Sequence, residues 1–245
     1  MMLKVTDDET GALVEVESKT LDTLDRSFET EHYLFRFAAG SPAQKEITAI
    51  AEEQERDYSS LRVLFGFDLP FKIEYLLTNS PDDNGKALSE LFEGMEPYPT
   101  NGLCIGPNYV FAAYNDEVKC LGCHEVTHLF SYRLCMPKNQ FLSEGLAMYS
   151  DGSLWGKSNR EWVREFLNNG SYVSVRELAS DEKFFSVPTE ITYPIAGAFV
   201  GFLMERLGKE RFFDSIYTSD EPMLGEINEL LGEKAEEAFI QYVLN

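Results

Sequence analysis

His124-Glu125-Val126-Thr127-His128 sets two of the chain's three histidines four residues apart, with a glutamate directly after the first. On a helix, residues i and i+4 share a face. Both imidazoles can then bind one zinc ion, with Glu125 beside the remaining coordination position, where it can take a proton from bound water. A catalytic zinc needs three protein ligands and one open site, so two histidines leave one ligand to find. Glu144 is the natural third, within Phe141-Leu142-Ser143-Glu144-Gly145-Leu146-Ala147-Met148-Tyr149. Asn115 reads as an N-cap with Asp116 and Glu117 in the first turn, and Val118, Leu121 and Leu129 continue a helical apolar pattern to about Tyr132. Met136-Pro137-Lys138-Asn139 breaks this helix. A second short helix from about Phe141 would run back and bring Glu144 towards the histidine face. The bland alternatives are a polar patch for the histidine pair and a dipole-complementing carboxylate for Glu144.

The two motifs together resemble the gluzincin metallopeptidases, and most closely their peptidase MA-like members, in which H-E-x-x-H is followed by a W/F-L-x-E-G-x-A-x-Y segment. His32-Tyr33-Leu34-Phe35-Arg36-Phe37 is similar to the family's opening strand, and Phe71-Lys72-Ile73-Glu74-Tyr75-Leu76 to the strand after its first helix. His32 itself is most simply a sheet residue with no chemistry. Tyr193-Pro194-Ile195-Ala196-Gly197-Ala198-Phe199, continuing to Leu203 and Gly208, resembles the helix that carries the family's catalytic tyrosine. The resemblance spans roughly Glu31 to Leu244. It implies that His124, His128 and Glu144 bind Zn2+, that Glu125 is the general base, and that Tyr193, with Tyr149 behind it, stabilises the oxyanion. Pro194 fits a helix's first turn and would hold Tyr193 at its mouth. It further implies that a strand before the motif, Tyr109 to Ala113 or Leu103 to Ile105, pairs with extended substrate.

Two departures from the family pattern shape the expectation. Where the thermolysin branch has an aspartate four residues after its third ligand, this chain has Met148; Asp151, seven residues after Glu144, is on the same helical face and could orient a zinc histidine instead. Asn101 to Tyr114 contains no carboxylate to grip a substrate amine, which favours an endopeptidase over an aminopeptidase. The expected partner is a peptide or protein substrate. The runner-up reading is a catalytically inactive zincin-like domain that binds a peptide or protein.

Cys120-Leu121-Gly122-Cys123-His124 also reads as the C-x-x-C-H attachment site of c-type haem. That chemistry needs an exported chain, whereas Met1 to Ser18 is too acidic and polar for a secretory leader. A thiolate zinc site from Cys120, Cys123 and Cys135 is disfavoured because such pairs bind from tight turns, and these cysteines are expected inside or behind the motif helix. Four cysteines, three of them around the motif, form no spread disulfide framework, so a cytoplasmic location is expected. No apolar run approaches the length of a membrane span. Forty-two acidic residues against 21 basic ones give a formal charge of −21, which would repel nucleic acid and anionic membranes.

With 245 residues, 44% of them hydrophobic, the chain can bury a sizeable core. The expected fold class is α+β and zincin-like, a single domain over 1–245: a mixed sheet lobe with helices, about 1–132, then a mainly helical lobe, about 133–245, with the motif helix between them. Ala12 to Glu17, Tyr33 to Phe37 and Phe71 to Thr78 read as strands, and Ala43 to Phe65 as a long helix. Asn79 to Gly85 reads as a loop, and Thr100 to Ala113 as two short strands around a turn. Later helices are expected at Arg160 to Leu167, Val175 to Ala179, Glu190 to Leu207, Lys209 to Tyr217, Leu224 to Leu231 and Glu233 to Val243.

Overall fold

Tyr33, Phe35 and Phe37 are buried while Leu34 and Arg36 between them are half-buried, the signature of a strand with one packed face. It belongs to the first of two compact units, Met1–Leu129 and Phe130–Asn245, of a computed structural model that describes residues 1–6, 12–219, 222–232 and 234–245. Together the units are a mixed α and β structure.

The N-terminal unit begins with an antiparallel hairpin of β1 (Met2–Thr6) and β2 (Leu13–Glu17). There follow β3 (Arg26–Glu29), β4 (Tyr33–Phe37), α1 (Pro42–Phe65), β5 (Ile73–Thr78), α2 (Pro81–Leu91), β6 (Gly102–Ile105) and β7 (Tyr109–Ala113). The five-stranded sheet has the order β3-β4-β5-β7-β6, in which β4, β5 and β7 are parallel and both edge strands antiparallel. Phe35 stands opposite Tyr75 and Tyr75 opposite Val110. Every residue of β7 is buried, as expected of a parallel strand covered on both faces. Leu3, Val5, Leu76, Leu91 and Phe111 share one core cluster, so the hairpin, the sheet and α2 close over common apolar ground.

α1 starts where expected, with Ser41 capping Gln44 N–H and Pro42 in the first turn, and ends at Gly66 with φ 82°. His32 stands just before β4, where it stacks on Tyr58 at 3.8 Å and meets Glu55 at 2.6 Å through Nδ1, so it serves packing against α1. The expected loop from Asn79 to Gly85 is instead the start of α2. Ser80 caps Asp83 N–H, Pro81 takes the first turn, and Asp82 and Asp83 complement the dipole. Gly85 stays inside that helix because a β-carbon there would meet the Tyr98 carbonyl oxygen.

α3 (His124–Leu134) crosses from the first unit into the second. The second unit continues with α4 (Gln140–Asp151), the short hairpin β8 (Ser153–Leu154) and β9 (Lys157–Ser158), α5 (Asn159–Asn169), α6 (Val175–Leu178), α7 (Asp181–Ser186) and α8 (Thr189–Leu207). α9 (Lys209–Phe212) runs into a π-helical turn at Phe213–Tyr217, followed by α10 (Met223–Leu231) and α11 (Ala235–Leu244); Glu233, the expected start of the last helix, lies outside the described residues. α4 and α8 are the most extensively packed pair. A β-carbon on Gly145 would sit 2.8 Å from the Ala196 carbonyl oxygen, one on Gly197 2.7 Å from the Met148 β-carbon, and one on Gly201 3.4 Å from the Tyr149 ring. With a β-carbon on Gly145 also 2.9 Å from the Val200 side chain, the two helices are separated by little more than backbone thickness. Among the described residues no helix is long and apolar enough to cross a membrane.

Gly197→Ala should therefore destabilise the fold by about 1–3 kcal/mol, because the Met148 β-carbon and the Asn159 amide, 2.6 Å from the new methyl, are both held by packing. Gly225→Ala in α10, where nothing lies within 4 Å, should be neutral or stabilising by roughly 0.5–1 kcal/mol. Urea unfolding of both variants checks this contrast, and equal midpoints would contradict the tight α4–α8 packing.

Candidate metal centre

His124 is the first residue of α3 and Glu125 lies in its first turn. The helix expected from Asn115 starts later because that stretch satisfies its own polar groups. The Asn115 side-chain oxygen accepts from Glu117 N–H at 2.8 Å and Val118 N–H at 2.7 Å, and Tyr114 bridges to Lys119. Glu46 of α1 then pins this connector by accepting from the Tyr114 hydroxyl and Lys119 ammonium, each at 2.7 Å. Helix begins only past Gly122, whose φ of 119° breaks the chain direction. Thr127 closes the first turn, donating to the Cys123 carbonyl from N–H at 2.7 Å and from hydroxyl at 2.8 Å. Val126, Leu129 and Phe130 are buried.

α4 begins at Gln140, with Asn139 capping Leu142 N–H at 3.0 Å and donating from its side-chain nitrogen to the Ala179 carbonyl. Its buried residues include Phe141, Leu142, Ser143, Gly145, Leu146, Ala147 and Met148, leaving Glu144 half-buried. His128 is buried at 5% exposure and His124 is half-buried; their rings are 5.1 Å apart and nearly perpendicular. One donor atom from each of His124, His128 and Glu144 lies within 4.8 Å of the others, so this group could hold a metal ion. Around a tetrahedral zinc with bonds of about 2.0–2.1 Å, donor atoms stand roughly 3.3 Å apart, a spacing that modest side-chain rotations reach from here. Two imidazoles and a carboxylate also fit zinc chemically.

Glu125 is half-buried beside the sheet. A β-carbon on Gly102, the first residue of β6, would lie 3.1 Å from a Glu125 carboxylate oxygen and 2.7 Å from the Cys120 sulfur. Glycine here lets the sheet's edge strand begin against the carboxylate, a relation that sequence reasoning missed although Gly102 was in view. β7 is interior to the sheet, between β5 and β6, so the expected alternative of Tyr109 to Ala113 as a substrate-pairing strand fails: its hydrogen-bonding edges are taken. Gly102 to Ile105 keeps an edge.

Tyr193 is the fifth residue of α8, half-buried and stacked on Phe184 at 6.0 Å; Phe184 in turn meets Phe141 edge-on at 6.1 Å. Pro194 is inside the helix rather than in its first turn, because α8 starts at Thr189. Tyr193 lies four residues before Gly197 on α8, and Glu144 four residues before Met148 on α4. Tyr149, by contrast, is about 140° round α4 from Glu144 and packs on Gly201. Asp151 ends α4 on the Glu144 face.

Two cysteines are not where the motif-helix reading put them: Cys120 and Cys123 precede α3, while Cys135 follows it. None of the four, Cys104 included, is in a disulfide, and only Cys123 is fully buried. A cavity of about 480 Å³, lined by Leu142, Arg176, Ile216 and Met223, opens on the side of α4 turned about 200° from Glu144.

No protein-family model matches the chain, and no curated protein matches it.

Purified protein should carry about one zinc per chain, and His124→Ala and Glu144→Ala should each weaken binding, measured by elemental analysis after mild chelator washing. Unchanged occupancy in Glu144→Ala would remove Glu144 from the ligand set and leave Asp151 as the nearest carboxylate on that face.

Proposed function

We propose that this chain is a zinc-dependent peptide hydrolase of the gluzincin type, acting as an endopeptidase. The observation that carries the reading is the donor group of His124, His128 and Glu144, with Glu125 next in line on the same helix and against the sheet edge. Bound zinc would supply Lewis acidity, making water acidic and a substrate carbonyl electrophilic.

The remaining work falls to side chains and backbone. An extended peptide pairs with the free edge of β6, which sets its scissile carbonyl near Glu125. Glu125 takes the proton from the attacking water and returns it to the leaving nitrogen. The hydroxyl of Tyr193 donates to the oxyanion as it forms, a contact stronger in the transition state than in the bound substrate. No serine or cysteine nucleophile is needed. The edge strand carries no carboxylate, so an interior peptide bond suits the cleft better than a free amino terminus. The overall charge of −21 serves solubility first and says little about which substrate is cut.

Glu125→Gln should keep its zinc yet lose most hydrolysis of an unstructured protein such as denatured casein, because the amide is nearly isosteric but cannot accept the proton. Full activity in that variant contradicts the mechanism. A zinc-loaded wild type that cleaves nothing in a broad peptide library supports a binding domain without turnover instead. Tyr193→Phe should lower kcat by roughly two to three orders of magnitude while KM changes little. Wild-type kinetics in that variant would remove Tyr193 from the mechanism.

A further inference from the structure

Tyr217 ends the π-helical turn and is 4% exposed. Phe212 and Phe213 flank its ring, each with centroids 5.9 Å away, and its carbonyl accepts from the Cys135 thiol at 3.9 Å. Ring and main chain are therefore held without help from the hydroxyl. That hydroxyl is buried and makes no hydrogen bond of normal geometry among the described residues. The Ser131 and Ser143 hydroxyls are its near polar neighbours, and the charge of the Glu144 carboxylate is felt there. Burial pushes its pKa up to about 12; the two serines are near enough to favour the phenolate, but neither is placed for a proper bond. At neutral pH the group is a proton donor in want of an acceptor.

The neighbours connect it to the metal centre. Ser131 follows His124 by seven residues and His128 by three, so the three share one stripe of α3. Ser143 directly precedes Glu144 on α4. Buried donors are nearly always paired, so an unpaired one requires an explanation. π-Helical turns are rare and concentrate at functional sites. A carboxylate that ligates through one oxygen leaves the other to be oriented by a donor, and ligands of this kind depend on such partners.

Building on the metal-centre reading above, we propose that Tyr217 is a positioning residue of that centre, its hydroxyl holding the Glu144 carboxylate in the orientation that binds metal. The serines cradle the hydroxyl, and the π turn sets its height between α3 and α4. The unpaired donor then gains its partner as the ion is bound.

The test compares wild type with Tyr217→Phe, which removes one oxygen and keeps the flanked ring. Three quantities are measured: zinc affinity by chelator competition, visible absorption of the cobalt-substituted protein, and the urea midpoint of the metal-free chain. The expected result is roughly 10–100-fold weaker zinc binding and shifted cobalt bands, with a metal-free midpoint no lower than wild type. Unchanged affinity and bands would overturn the assignment. So would a lowered metal-free midpoint with wild-type cobalt bands, which is the mark of a merely structural tyrosine. Wild type that binds neither metal overturns the metal-centre reading itself, an outcome visible before any variant is made.

Discussion

The second unit depends on how closely α4 and α8 approach. Gly145 faces the Ala196 carbonyl and the Val200 side chain, Gly197 faces Met148 and Asn159, and Gly201 lies under the Tyr149 ring. Where glycine meets backbone, the helices slot together with almost no side-chain padding, and such a contact has little give. Asn159 ties the arrangement further by donating to the Met148 carbonyl at 2.8 Å. The long apolar α8 is the natural partner for this, with buried residues along most of its length. The fixed spacing belongs to the helix pair and not to either helix alone.

Much of this was legible in the chain, for reasons that differ by element. β4 and α1 announced themselves through alternation and through Ser41-Pro42, signals that concern neighbouring residues only. The grouping of His124, His128 and Glu144 was legible because i, i+4 spacing and a following E-G-x-A segment are local too. The start of α3 was not: Asn115 looks like a helix cap in sequence, and it is a cap, but of a turn held by Glu46, a residue far away in the chain. α2 was missed although Ser80-Pro81-Asp82-Asp83 carried a helix-start signal, outweighed by its Asn84 and Gly85. Tyr217 was invisible as anything but a helical aromatic, since its meaning comes from Ser131 and Ser143, brought together only by the fold.

In the first unit the constraint falls on a single atom's worth of space. Gly102 opens an edge strand while accommodating both the Cys120 sulfur and the Glu125 carboxylate. Any larger side chain would push the carboxylate away from the strand or spoil the strand's first pairing, Gly102 with Ala112. The placing of the Glu125 carboxylate thus depends on an absent side chain.

The late start of α3 also bears on time as well as place. His124 occupies the helix's first position, where backbone N–H groups have no intrahelical acceptor, while His128 is a turn deeper and buried. Helix ends fray more readily than any interior turn. For an ion held by both residues, opening of the first turn withdraws one imidazole and leaves the other in place. Release of such an ion would proceed in stages, and its lifetime on the protein would follow the stability of one helical turn, including the two Thr127 hydrogen bonds to Cys123 that close it.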